Sequence, residues 1–310
     1  MATDIAPSAE VAGAHRTGRA VRLSARDKLA LALMVGVPLV VVGGLIWFPT
    51  FASIFLSFTN WDGIGGITTA QWIGTENYNQ VATIYPPFWP AVKHNLIWLA
   101  FLTLVATPFG LFLAYQLDKE LRGSRFYQSV FFLPVVLSFA IIGFIVQLMY
   151  SPTQGLVNGL LGTNTDWLGD PSINLWAVLV LVGWRHAGYI MILYLAGLKA
   201  IDPSLREAAR VDGAGEWHAF RTVIFPALRP INIVIVVVTV IEALRAFDIV
   251  YIVNKGRNGL ELLSILVTNN IIGEASRIGY GSAIAVILIV VSIVPIIVFV
   301  WNSFQESEQA

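Results

Sequence analysis

Six stretches of apolar sequence, near residues 29–58, 94–117, 128–150, 173–197, 231–253 and 279–302, leave this chain few folds to choose from. Each is long enough to cross a bilayer as a helix, which takes about 20 residues at 1.5 Å per residue. Composition agrees: 56% of the residues are hydrophobic, 12% are charged and mean hydropathy is +0.73, which is not the profile of a soluble globular chain. An all-α membrane protein with six transmembrane helices is expected. The first stretch is overlong and holds Pro38 and Pro49, so a tilt or kink is expected there.

An even number of spans puts both termini on one side of the membrane, and Lys and Arg indicate which. Thirteen lie in the N-terminal tail, the connection after the second span and the 198–230 loop, against four (Lys93, Lys255, Arg257 and Arg277) in the opposite connections. Positive residues favour the cytoplasmic side, so the N and C termini and the 198–230 loop are expected there. Residues 1–27 are rich in Ala, Ser, Thr and Arg without apolar periodicity and read as a disordered cytoplasmic tail. The following run is too long for a cleavable signal peptide. A formal net charge of zero gives no reason to expect nucleic acid as a partner. The absence of Cys excludes disulfides and thiolate metal sites.

The 198–230 loop has a helical grammar of its own. Asp202 then Pro203 is an N-cap followed by proline at the first helical position. Leu205, Ala208, Ala209 and Val211 form a small apolar stripe, with Arg206, Glu207 and Arg210 on the wet side. Asp212-Gly213 stops that helix. Trp217, Phe220, Val223 and Ile224 form a second stripe, which Pro226 is expected to end. Two short helices around a glycine break make a rigid knob between the fourth and fifth spans. The grammar alone fits an interfacial hairpin on lipid headgroups as well as a protein docking surface.

Glu207-Ala208-Ala209, Gly213 and Pro226 at this spacing resemble the EAA loop of permease subunits of binding-protein-dependent ABC importers. Val223-Ile224-Phe225-Pro226 keeps the size and apolarity of that loop's usual ending but not its identity. Further segments are similar to the carbohydrate-uptake branch: Ser57-Phe58-Thr59-Asn60-Trp61, Gly74-Thr75-Glu76-Asn77-Tyr78, Gly155-Leu156-Val157-Asn158-Gly159 and Trp167-Leu168-Gly169-Asp170-Pro171. After the fifth span, Asn254-Lys255-Gly256-Arg257-Asn258-Gly259 departs from that branch. The resemblance implies a six-span permease domain over residues 28–310, in the bacterial plasma (inner) membrane. Its coupling helix would dock on a separate ABC ATPase through Glu207, Ala208, Ala209, Asp212, Gly213 and Pro226. It also implies a dimer of that ATPase binding ATP and Mg, a second homologous permease, an extracytoplasmic solute-binding protein, and alternating access for a sugar or oligosaccharide. No cofactor and no catalysis are expected in this chain, which lacks a G-x-x-x-x-G-K-[ST] nucleotide loop, an H-E-x-x-H pair and a G-x-S-x-G elbow.

Ionisable groups inside spans are costly and so mark candidate sites. Trp184, Arg185 and His186 fall near mid-depth of the fourth span, with Tyr189 one turn on. Glu242 and Arg245 reach a similar depth in the fifth, with Asp248 further out and all three on one helical face. They either neutralise one another between packed helices or line a cavity near the midplane, where transporters bind substrate. Two arginines against two carboxylates favour an uncharged, hydroxyl-rich solute, and Trp184 and Tyr189 offer aromatic faces. Glycerol phosphate, an amino acid or a polyamine stays open as cargo. A proton-coupled carrier using Glu242, Arg245, Asp248 and His186 is a reading from a different class, although no internal repeat supports it.

Overall fold

The computed structural model describes residues 24–119, 122–273 and 276–308. The chain divides into two units, one through Phe51 and one from Ala52 onward. The tail expected over residues 1–27 lies outside the described residues as far as position 23. Its last residues are already part of α1 (Ala25–Leu56). Ser24 Oγ accepts the Asp27 N–H at 3.2 Å while the Asp27 carboxylate takes the Ser24 N–H at 3.0 Å, a capping box that fixes the helix start.

The remaining helices are α2 (Glu76–Thr83), α3 (Phe88–Asp118), α4 (Ser124–Val136), α5 (Phe139–Met149), α6 (Leu156–Leu161), α7 (Asn174–Ala200), α8 (Pro203–Val211), α9 (Glu216–Ala219), α10 (Arg229–Leu244), α11 (Asp248–Asn254), α12 (Leu263–Ile271) and α13 (Ile278–Glu308). Among the described residues four helices, α1, α3, α7 and α13, are long and apolar enough to cross a membrane. The pair α4–α5, bent by 100°, makes a fifth if counted as one span. Two of the expected spans are therefore not single helices. The third turns at Leu137–Ser138, both extended, and Ser138 Oγ restarts the helix by accepting the Ile141 N–H at 3.3 Å. The fifth is cut at Arg245–Phe247 into a 16-residue and a 7-residue helix.

Three of the prolines share one device. Pro49, Pro108 and Pro226 each follow a π turn, at Gly43–Trp47, Leu102–Ala106 and Phe220–Ile224. In each case the residue before the proline bonds five residues back: Phe48 to Gly43, Thr107 to Leu102, Phe225 to Phe220. Widening the turn draws the carbonyl four residues back away from the ring that would strike it, so the helical path continues. The second helix of the knob ends at Ala227, one residue past Pro226.

Helix α7 is the hub, the most deeply buried of the candidate spans. Small residues let its neighbours come close. Gly188 lies against the Phe131 carbonyl of α4, Gly183 against the Phe101 ring of α3, and a Cβ on Gly110 of α3 would stand 2.8 Å from the Ala187 carbonyl. The motif asparagines pin the connections. Asn77 Nδ2 donates to both the Ser57 and Thr59 carbonyls at 2.8 Å. Asn158 Oδ1 accepts from Trp167 Nε1 at 2.8 Å, joining the two segments around 155–159 and 167–171.

Candidate functional site

The break between α10 and α11 builds a cavity of about 250 Å³. Breaking a helix inside a bilayer strands its last carbonyls, which must find partners. Asn95 of α3 supplies one, donating to the Ala243 carbonyl at 3.4 Å while its Oδ1 takes the Leu263 N–H at 2.9 Å. Ser264 Oγ donates to the Ala246 carbonyl. Gln147 of α5 donates to Ile252 and Val253 at the far end of α11. The opened backbone turns Arg245 and Asp248 into the cavity, beside Arg185, His186 and Glu242, with Trp98, Phe139 and Phe247 as aromatic walls.

Five of the seven residues singled out in the spans therefore converge, though not along one continuous helical face. Trp184 does not join them. It lies two residues before His186, about 200° around the helix, and points outward, 42% exposed. Tyr189 packs against the other half of the core, around Ile190 and Tyr194.

Charge in the cavity is distributed unevenly. The Glu242 carboxylate accepts from His186 Nδ1 at 2.6 Å and pairs with Arg185 Nη1 at 3.6 Å. His186 is 1% exposed, and its Nε2 lies 3.3 Å from Thr107 Oγ1 and 3.2 Å from Thr239 Oγ1. With Nδ1 turned towards the carboxylate, Nε2 is left facing the two hydroxyls. The Arg185 guanidinium lies 4.0 Å from the centre of the Phe139 ring, a cation–π contact. Arg185 is thus paired within the cavity wall. Among the described residues Arg245 and Asp248 have no ion pair, and both side chains are exposed.

The knob follows its sequence grammar at the start and stop. The Asp202 carboxylate accepts the Ser204 N–H at 2.9 Å, a bond that holds its carboxyl below the usual 3.8. Gly213 takes a φ of +73°, the left-handed conformation a helix end favours in glycine. The apolar stripes divide in two. Ala209, Phe220 and Ile224 are buried, whereas Val211 and Trp217 are 87% and 71% exposed. Glu207, Ala208, Asp212, Gly213 and Pro226 are exposed. Of the two motif alanines, Ala208 faces outward and Ala209 packs inward.

Arg206, expected on the wet side, is tied down instead. Its Nη1 donates to Asp118 Oδ2 at 2.6 Å and its Nη2 to the Leu198 carbonyl at 3.1 Å. Lys119 Nζ reaches Glu216 Oε2 at 2.7 Å. Sequence reasoning missed these partners, and it missed Asn95, Thr107 and Thr239, because it followed ionisable groups within spans. Uncharged polar residues inside apolar runs were the available signal.

The sequence profile of the family described as "Binding-protein-dependent transport system inner membrane component" matches residues 106–304. A Pyrococcus horikoshii protein, "Probable ABC transporter permease protein PH1215", is 29% identical over 280 residues, covering 87% of this chain and 94% of that protein. The Haloferax volcanii "Xylose/arabinose import permease protein XacH" is 34% identical over 268 residues, 83% of each chain. Among solved structures, one described as "bacterial alginate ABC transporter in complex with alginate pentasaccharide-bound periplasmic protein" superposes with a TM-score of 0.75 at 21% identity, covering 88% of this chain and 93% of that one. At that identity the likeness concerns the fold. The family match takes in the knob and every cavity residue except Trp98 and Leu102 and sets aside the proton-coupled carrier: this chain belongs to the binding-protein-dependent transport system inner membrane components, the non-catalytic permease subunits of ABC importers.

Proposed function

We propose that the chain crosses the plasma membrane six times, with α4–α5 as the bent third span and α10–α11 as the broken fifth. Both termini and the knob face the cytoplasm, and the chain carries a sugar or oligosaccharide by alternating access. The observation that carries the substrate reading is the cavity: Arg245 and Asp248 present a donor and an acceptor of opposite sign without a neutralising partner. Together they give no net field for an anion, and they suit hydroxyls that both donate and accept. Phe139 and Phe247 give partly exposed apolar faces for a sugar ring, the role expected of Trp184 and Tyr189. The xylose/arabinose name of the Haloferax volcanii relative points the same way.

Coupling is assigned to the knob. Val211 and Trp217 offer an apolar tip beside Glu207, Ala208 and Gly213, a shape suited to a groove on a partner ATPase, which would bind ATP and Mg. A second permease would complete the path, and an extracytoplasmic solute-binding protein would deliver the cargo. Uptake of radiolabelled xylose into cells expressing the complete transporter, challenged with a panel of unlabelled solutes, tests the substrate reading. Neutral pentoses, hexoses and short oligosaccharides should compete. Competition by glycerol phosphate, an amino acid or a polyamine alone would overturn it.

A further inference from the structure

Two attachments hold the knob, and they differ in kind. Its ends run directly into α7 and α10 through the backbone. Its body is fastened to α3, a helix more than eighty residues earlier in the sequence. Arg206 donates to Asp118 at the last residue of α3 and to Leu198 at the end of α7, so one guanidinium bridges two helices. The Asp118 carboxylate is 9% exposed and Arg206 31%, a shielded, charge-assisted contact of the stronger kind. Lys119–Glu216 is weaker support, being 39% and 78% exposed, since exposed pairs contribute little. Tyr115 adds an edge-to-face contact with Phe220, ring centres 4.8 Å apart.

Helix α3 also walls the cavity, through Trp98 and Leu102. Between that wall and Asp118 lies its π turn, Leu102–Ala106, and directly after the turn Thr107 meets the buried His186. π turns mark places where a helix is locally widened, often at functional positions. The segment from Thr107 to Asp118 is therefore a rod, fastened to the knob at one end and abutting the cavity's hydrogen-bonded wall at the other.

We infer that Arg206 and Asp118 are positioning residues for transport: their bridge carries movement of the knob into α3 and so to the cavity wall at Leu102 and Thr107. The inference rests on the importer reading, in which a partner ATPase moves the knob. Without the bridge, the knob would still dock but would hold α3 only through the Tyr115–Phe220 contact and the exposed Lys119–Glu216 pair.

The native chain has no Cys, so a single Ala246→Cys, at a partly exposed position lining the cavity, reports the cavity through its rate of modification by a methanethiosulfonate reagent. The measurement uses the complete transporter in membranes, without nucleotide and trapped with ATP and vanadate. Co-purification of the ATPase is scored on the same samples. With the native bridge, the rate should differ between the two states. Asp118→Arg and Arg206→Asp singly should shrink that difference about tenfold, the size of one lost charge-assisted hydrogen bond, with the ATPase still bound. The double exchange should restore it. Singles that keep the full difference, or a double exchange that fails to restore it while inserting and binding ATPase normally, would overturn the inference. Asp118→Asn, which keeps the shape and an acceptor oxygen, should fall between native and Asp118→Arg; no effect in either would also overturn it. If no ATPase accompanies even the native chain, the importer reading itself fails, and that outcome is separate from the others.

Discussion

Side chains that close gaps at single positions govern both the packing and the chemistry here. Gly188 has no room for a methyl group against the Phe131 carbonyl, whereas Gly159 in α6 has nothing within 4 Å. Gly188→Ala is therefore expected to destabilise the chain by about 1–3 kcal/mol, the usual result of overpacking, while Gly159→Ala leaves it unchanged or slightly firmer. Thermal unfolding in detergent, both variants side by side, checks this. In the cavity, Arg245→Gln and Asp248→Asn should reduce uptake strongly without reducing the amount of assembled transporter, because neither side chain holds another in place. His186→Ala should also lower the melting temperature, since it leaves Thr107, Thr239 and Glu242 without their shared partner. Five cavity residues were legible as charges in apolar sequence. Trp184 was misplaced by its neighbours, because adjacent positions on a helix differ by about 100° in direction.

At the scale of elements, the helices follow from apolar length, but their interruptions do not. The runs at 128–150 and 231–253 are as apolar as the unbroken ones, and the bend and the break are set by tertiary partners. Asn95 and Ser264 prop the α10–α11 break. Asn95→Leu would strand the Leu263 N–H and the Ala243 carbonyl, at a cost of about 1–3 kcal/mol, and the cavity should be lost before the fold is. A melting temperature lowered together with lost uptake would bear this out. The π turns before Pro49, Pro108 and Pro226 likewise leave no trace in composition. The outer fastening of the knob is sensitive to acid. Lys119 hydrogen-bonds Glu216 and holds its carboxyl below the ordinary 4.5, while Glu216 holds Lys119 above 10.5. The carboxyl is depressed, so its contribution is present above pH 4.5 and is lost as pH falls through the lower folded value. A spin label at His218→Cys should gain mobility on acidification below that range, and Glu216→Gln should show that mobility already at neutral pH.

Across the whole molecule, a hub helix, a cavity opened by a broken span and a fastened knob form one mechanical path. The knob's helix start and glycine stop could be read from Asp202, Pro203 and Gly213 alone. Its attachment to α3 could not, because Asp118 and Arg206 are distant in sequence and carry no motif. The central claim is that the exposed tip of the knob engages an ATPase. The direct measurement is co-purification of a nucleotide-binding subunit from membranes with the native chain and with Val211→Glu, Glu207→Lys and Gly213→Pro. The account predicts that the ATPase travels with the native chain and is lost from the variants, all of which still insert in the membrane. An ATPase that stays with every variant would place the docking surface elsewhere, and a native chain that brings none would contradict the account outright.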